Sequence, residues 1–151
     1  MEDDGGEGRM DAEAAKRFAT ERVEALFNRK ELDRIEEFVT PDFVNHEAWT
    51  GEDPGYKGFR LRLKRLHDAF PDLHMEVEEV IAEGDLVAYR ATLTGTHRGE
   101  LMGMAPTNRS FSVQHMHFLR LRDGRASEHW ACRDDLGMLR QLGVIRAPRS
   151  G

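Results

Sequence analysis

Apolar residues recur at helical spacing over residues 11–29. Ala15, Phe18, Ala19, Val23, Leu26 and Phe27 fall on one face with charged residues between them, which predicts an amphipathic helix with one buried stripe. Asp11 stands at the N-cap position, where its carboxylate can accept from a free backbone N–H of the first turn. Leu32, Ile35, Phe38 and Val39 predict a second, short helix over 31–39. Pro41 stops it, because the residue before a proline is pushed out of the helical region. Gly51, Pro54 and Gly55 punctuate residues 42–55 and predict a loop. Phe59, Leu63, Leu66 and Phe70 mark a third helix, closed by Pro71.

The period then changes from helical to alternating. Leu73, Met75 and Val77 alternate with His74, Glu76 and Glu78, the signature of a half-buried strand. Glu83-Gly84-Asp85 predicts a turn. A long strand follows over 86–98, broken near Gly95, then a Gly- and Pro-containing loop over 99–108 and another long strand over 109–122. Asp123-Gly124 is a tight-hairpin signal, so residues 125–133 pair back as the last strand. Leu136, Leu139 and Leu142 mark a final short helix that Gly143 ends. Helices come first and antiparallel strands second, so the expected class is α+β. We expect a curved antiparallel sheet with N-terminal helices enclosing a cavity, the concave kind of space that ligand sites favour.

Composition narrows the function classes. At 151 residues the chain fits one domain. We expect a disordered tail over 1–10, one domain over 11–146 and a flexible C-terminus over 147–151. The net charge of −6 argues against a nucleic-acid partner, which needs a basic face. Arg60, Arg62, Lys64 and Arg65 alternate with leucines and read as one solvated helix face. The single cysteine, Cys132, permits no internal disulfide and is expected to be inert packing, consistent with a reducing, cytoplasmic setting. No apolar run approaches the ~20 residues of a membrane span. The acidic, Gly-rich start does not resemble a signal peptide, and Met10 is an alternative start.

The candidate chemistry is histidine-centred. His115 and His117 share one face of a strand, and the Asp123-Gly124 hairpin brings His117 near His129 on the next strand. Imidazoles titrate near neutrality and suit proton transfer; structural, hydrogen-bonded histidines are the alternative. Asp134 is either an acid/base group at the strand end or the N-cap of the last helix. Arg133 is a partner for Asp134 or Asp135. Asn45, in Phe43-Val44-Asn45-His46-Glu47, can donate to a carbonyl or oxyanion at a cavity rim, or hold the loop through backbone bonds. Phe43, His46, Tyr89, Met102, His115 and Trp130 are expected to contact substrate. His115, His117 and His129 could supply three metal ligands, but the spacing is weak, and neither metal nor cofactor is expected. Dinucleotide, phosphate-loop and Gly-x-Ser-x-Gly motifs are all lacking.

A family resemblance rests on several segments in order: Pro41-Asp42-Phe43-Val44-Asn45-His46, Ala69-Phe70-Pro71-Asp72, residues 95–109, Asp123-Gly124, Glu128-His129-Trp130, Asp134 and residues 139–143. Over residues 14–144 the chain resembles the SnoaL-like polyketide cyclases. The resemblance implies a ketosteroid-isomerase-like cone that works without cofactor. It also implies ring closure by an intramolecular aldol step on a polyketide ester, and a homodimer or higher oligomer. Asn45, His117 and His129 match the Asn and two His residues of those cyclases. Their acid/base Asp falls at Ala131, which cannot move a proton. His117, His129 or Asp134 therefore takes over that task, or the chain has another role. The alternatives are a non-catalytic binding module for a small apolar ligand and an epoxide-opening or hydroxylating relative.

Overall fold

The computed structural model describes residues 9–146; residues 1–8 of the tail expected over 1–10, and the C-terminus expected over 147–151, lie outside the described residues. Helix α1 (Ala12–Val23) begins at Asp11, whose side chain accepts from Ala14 N at 2.7 Å. It continues into a π-helical turn (Glu24–Asn28). A short 3₁₀ turn (Leu32–Arg34) and α2 (Ile35–Phe38) lead into strand β1 (Val39–Asn45). Helix α3 (Tyr56–Ala69) is followed by four strands: β2 (His74–Glu83), β3 (Leu86–Thr96), β4 (Ser110–Arg122) and β5 (Arg125–Arg133). Helix α4 (Asp135–Gln141) closes the chain, and Gly143 at φ 77° ends it.

The sheet order is β1-β5-β4-β3-β2, antiparallel except for the β1–β5 pair. Strand β1 corrects the loop expected from residue 42. Pro41 lies inside it, which is tolerated because β1 is an edge strand and owes no inward N–H on its free side. β3 likewise runs through Gly95 without a break. A Cβ there would meet the Phe111 ring at 3.0 Å and Phe70 at 3.1 Å, so glycine serves close packing rather than a bend.

Strict alternation sets the faces. Phe111, Val113, His115, His117 and Leu119 of β4 are buried, whereas Met116 and Phe118 are exposed on the outer face. Across the hairpin the register shifts between Leu121↔Ala126 and Arg120↔Glu128. The extra residue, Ser127, is a bulge. A bulge reverses the parity of everything beyond it, so His129 turns inward and Glu128 outward. Cys132 lies on the exposed side, correcting the expectation of inert packing.

The inner face packs on α1 and α3 through Ala19, Val23, Leu26, Phe59 and Leu63. Asn28 ties the helical layer to the sheet edge: its side chain donates to Met75 O at 3.0 Å and accepts from Met75 N at 2.8 Å. At the start of α3, a Cβ on Gly58 would fall 1.9 Å from the Asp53 carbonyl oxygen. This close approach seats the segment carrying Trp49 and Glu52 against the helix. Alanine in a helix ordinarily gains about 1 kcal/mol over glycine. Here the sign reverses, and Gly58→Ala lowers stability by about 1–3 kcal/mol, the usual cost of overpacking. Urea unfolding of the variant checks this.

Candidate functional site

Three inward histidines and one asparagine form a line across three strands. Asn45 ends β1, and its Oδ1 accepts from the backbone N–H of Glu47 at 3.1 Å. That donor identifies the facing atom as oxygen, since an amide nitrogen there would oppose a second N–H. His129 Nδ1 lies 2.9 Å from the same oxygen and therefore donates to it. In neutral His129 the other nitrogen, Nε2, must then accept, and it lies 2.9 Å from His117 Nδ1. His117 Nδ1 is thus the donor, and His117 Nε2 carries a lone pair. That atom is buried and has no partner. One backbone N–H fixes the tautomer of two imidazoles in series.

Electrostatics keep the histidines neutral. Burial lowers the pKa of His117 well below the ordinary imidazole value, with the neighbouring His115 and the Arg22 cation adding to it. Burial likewise lowers His129, followed by the charges of His117 and Arg22. His115 is lowered to about 4, by burial first and by Arg133 second. The rings form a stack: Tyr89 lies 4.8 Å from His117 at 11°, and His117 lies 5.2 Å from His129 at 17°. Phe43 is buried against Phe59 at 5.5 Å, and Phe59 borders His129 at 5.9 Å. Phe43 therefore supports the histidines from behind.

Arg22 is a buried cation that the sequence reading missed. It is fully enclosed, 5.1 Å over the Phe59 ring, with Nε and Nη2 unpartnered. The Tyr89 hydroxyl lies beside it and favours its charge, but the pair does not reach hydrogen-bonding geometry and that hydroxyl is also unpartnered. The signal was available: Arg22 follows Ala15, Phe18 and Ala19 at i+7, i+4 and i+3, so spacing alone puts it on the buried stripe.

A cavity of about 260 Å³ opens beside this cluster. His115 forms part of its wall, two residues from His117 on the same face. Leu66, Leu93, Leu101, Met102 and Met138 supply apolar lining, and Arg62, Arg65, Arg133, Glu52 and Asp135 supply charge. Met102 is where substrate contact was expected, although half its surface is exposed. Arg62 corrects the reading of residues 60–65 as one solvated face. Its side chain is 13% exposed and stacks over Trp49 at 4.9 Å, and its Nη1 donates to Glu47 O at 2.7 Å. Arg62 sits at i+3 from Phe59, again on the apolar stripe.

Three expected site residues lie elsewhere. Asp134 is exposed and caps α4, accepting from Gly137 N at 2.8 Å; the capping alternative is the one the structure takes. His46 and Trp130 stack on each other at 4.5 Å on the outer side of the sheet, where His46 Nε2 lies 3.1 Å from Glu128 Oε1. Each follows an inward residue, Asn45 or His129, so alternation sends it outward.

A curved α+β cone with inward strand histidines, of which His115 walls the cavity, defines the class. Comparison with known proteins gives the family: residues 17–142 match the model for SnoaL-like polyketide cyclase, and the chain belongs to that family. It is 35% identical over 122 residues to the nogalonic acid methyl ester cyclase of Streptomyces nogalater, covering 79% of this chain and 90% of that one. It is 33% identical over 125 residues to the aklanonic acid methyl ester cyclase DnrD of Streptomyces peucetius, covering 81% and 86%. Among solved structures, TsrD of Streptomyces laurentii superposes with a TM-score of 0.82 at 25% identity, covering 91% of this chain and all of that one. IdmH of Streptomyces antibioticus gives 0.73 at 36% identity, covering 84% and 96%.

Histidines held neutral by burial make stability depend on pH. Unfolded histidine titrates near 6.5, whereas His115 in the fold titrates near 4 and His117 and His129 also lie below the ordinary value. Between about 6.5 and 4 the unfolded state binds more protons. Stability is therefore full above that window and falls as pH drops through it, by about 1.4 kcal/mol per pH unit for each such histidine. Urea unfolding between pH 8 and 4 measures the slope, and His115→Gln makes it shallower by about one proton.

Proposed function

We propose that this chain is a cofactor-independent cyclase that closes a ring on a polyketide-like carbonyl compound, with His117 as the base. The observation that carries this reading is the ordered series Asn45–His129–His117, which leaves an unpaired lone pair at His117 Nε2. A neutral imidazole with its other nitrogen fixed as donor is poised to take a proton α to a carbonyl. His129 and Asn45 are positioning residues: they hold the tautomer and stabilise the imidazolium as it forms. Negative charge building on the substrate oxygen meets the fields of Arg22 and Arg133 in a site of low dielectric, where such charges act strongly.

The steps balance without any added reagent. His117 Nε2 takes the α-proton, and the enolate carbon attacks a second carbonyl carbon of the same molecule, forming the ring bond. The resulting alkoxide recovers the proton from His117. The product is an isomer of the substrate, and the enzyme ends as it began. A methyl ester of the kind named for the Streptomyces relatives and the corresponding free acid are the natural first pair to try.

Incubation with aklanonic or nogalonic acid, each as the methyl ester and as the free acid, followed by chromatography, tests the reading. Wild type closes the ring of at least one of the two forms. His117→Gln loses about 10²–10⁴ in kcat, the range for a general base. Asn45→Leu loses a smaller factor and shifts the pH–rate profile, because the tautomer is no longer fixed. Asp134→Asn, which retains a capping side chain, keeps the wild-type rate. Ala131 sits opposite His117 and supplies no carboxylate. If wild type binds these compounds and closes neither form, the chain is a binding module of the same fold, and the catalytic reading is wrong.

A further inference from the structure

The charged end of the cavity is built for an anion. Arg62 and Arg133 are both largely enclosed, with side-chain exposures of 13% and 16%. Their partners are incomplete. Arg62 Nη2 is buried and unpartnered; Glu52 Oε2 lies 3.3 Å away without hydrogen-bonding geometry. For Arg133, the carboxylates within reach among the described residues are Asp135 at 3.6 Å and Glu47 at 3.8 Å, both beyond hydrogen-bonding distance. A guanidinium carries five donors, and enclosed donors without acceptors are costly.

Register places this end beside the histidines. Arg133 pairs directly with His115 across β4–β5, and Ala131 pairs with His117. On the inner face of β5 the order is therefore His129, Ala131, Arg133: an imidazole, a methyl group and a cation, with no carboxylate. The cavity wall holds three guanidiniums, Arg62, Arg65 and Arg133, against two carboxylates, Glu52 and Asp135. With Glu47 3.8 Å from Arg133 the charges are near balance, so what the site lacks is an acceptor for the buried Arg62 Nη2 rather than net negative charge. His115 Nδ1 is buried and unpartnered as well.

We infer that the cavity selects a ligand with a flat apolar body and a free carboxylate, the carboxylate being held by Arg133 and Arg62 and the body lying along Leu66, Leu93 and Met138. The two guanidiniums supply planar paired donors that a carboxylate matches bidentately, and a methyl ester cannot answer them with charge. The inference rests on the cavity being the substrate site, as the proposed function has it, and it narrows the substrate from carbonyl compounds in general to free acids. The substrate's own carboxylate also fills the inner-face position where β5 has none.

Isothermal titration of the full chain with 2-naphthoate and with methyl 2-naphthoate tests this. The acid binds at least tenfold more tightly than the ester, and its affinity falls as salt is raised. Arg133→Gln and, separately, Arg62→Gln each reduce the acid's advantage to within about twofold, while ester affinity stays near wild type. Circular dichroism melting of both variants confirms that they fold. Equal binding of acid and ester, or an acid preference that survives both substitutions, overturns the inference and leaves the cavity reading intact. If neither probe binds wild type, the cavity reading fails and the inference fails with it.

Discussion

The hydrogen bond from the Glu47 backbone N–H to Asn45 Oδ1 is the fixed point of the candidate site. It orients one side-chain amide, and that amide settles which nitrogen of His129 bears hydrogen. His129 in turn settles His117. Nothing else among the described residues sets these protons. The bond exists because β1 runs parallel to β5 with Asn45 opposite His129, and because the chain turns at once after Asn45. An edge strand that looks dispensable to the sheet therefore carries the electronic definition of its buried face.

A second constraint acts with it, the bulge at Ser127. Were Ser127 paired in the ladder rather than bulged, the register of the tight hairpin would set Leu119 opposite Glu128 rather than His129, and β5 would present Glu128 to the interior. Instead Glu128 faces outward, where Arg120 Nε donates to it at 2.9 Å. The bulge, in place of regular pairing at Ser127, thus exchanges a carboxylate for an imidazole in the core. Bulges beside active sites often re-aim a side chain in this way. Here the result is an inner face whose charged members nearest the histidines, Arg22 and Arg133, are cations, and those cations with burial hold the imidazoles neutral.

Much of this was legible beforehand. The switch from helical to alternating period gave the α+β class, Asp123-Gly124 gave the hairpin, and His117 and His129 were brought together from the hairpin count. What failed did so for identifiable reasons. Pro41 reads as a stop for a helix and is equally at home in an edge strand, so β1 was invisible, and the role of Asn45 as an orienting group depends on β1. His46 and Trp130 were grouped with their inward neighbours although alternation separates them. Arg22 and Arg62 were overlooked because charge was allowed to outweigh position: each occupies the apolar stripe of its helix. A long cationic side chain at such a position either reaches out to solvent or is enclosed, and only packing decides. On helix α3, Arg62 takes the enclosed course and lies over Trp49, whereas Lys64, on the opposite face, meets Asp68 at the surface.

The enclosed arginines bear on what the pocket can do. Guanidinium remains charged under all ordinary conditions, so Arg22, with no carboxylate bonded to it among the described residues, is a permanent field source in the core. Such a field disfavours the imidazolium of His117 and favours negative charge nearby. Added to burial, it keeps that imidazole neutral. The cost appears as orphaned polar atoms on Arg22, Tyr89, His115 and His117, each a loss to folding that a well-packed apolar core would avoid.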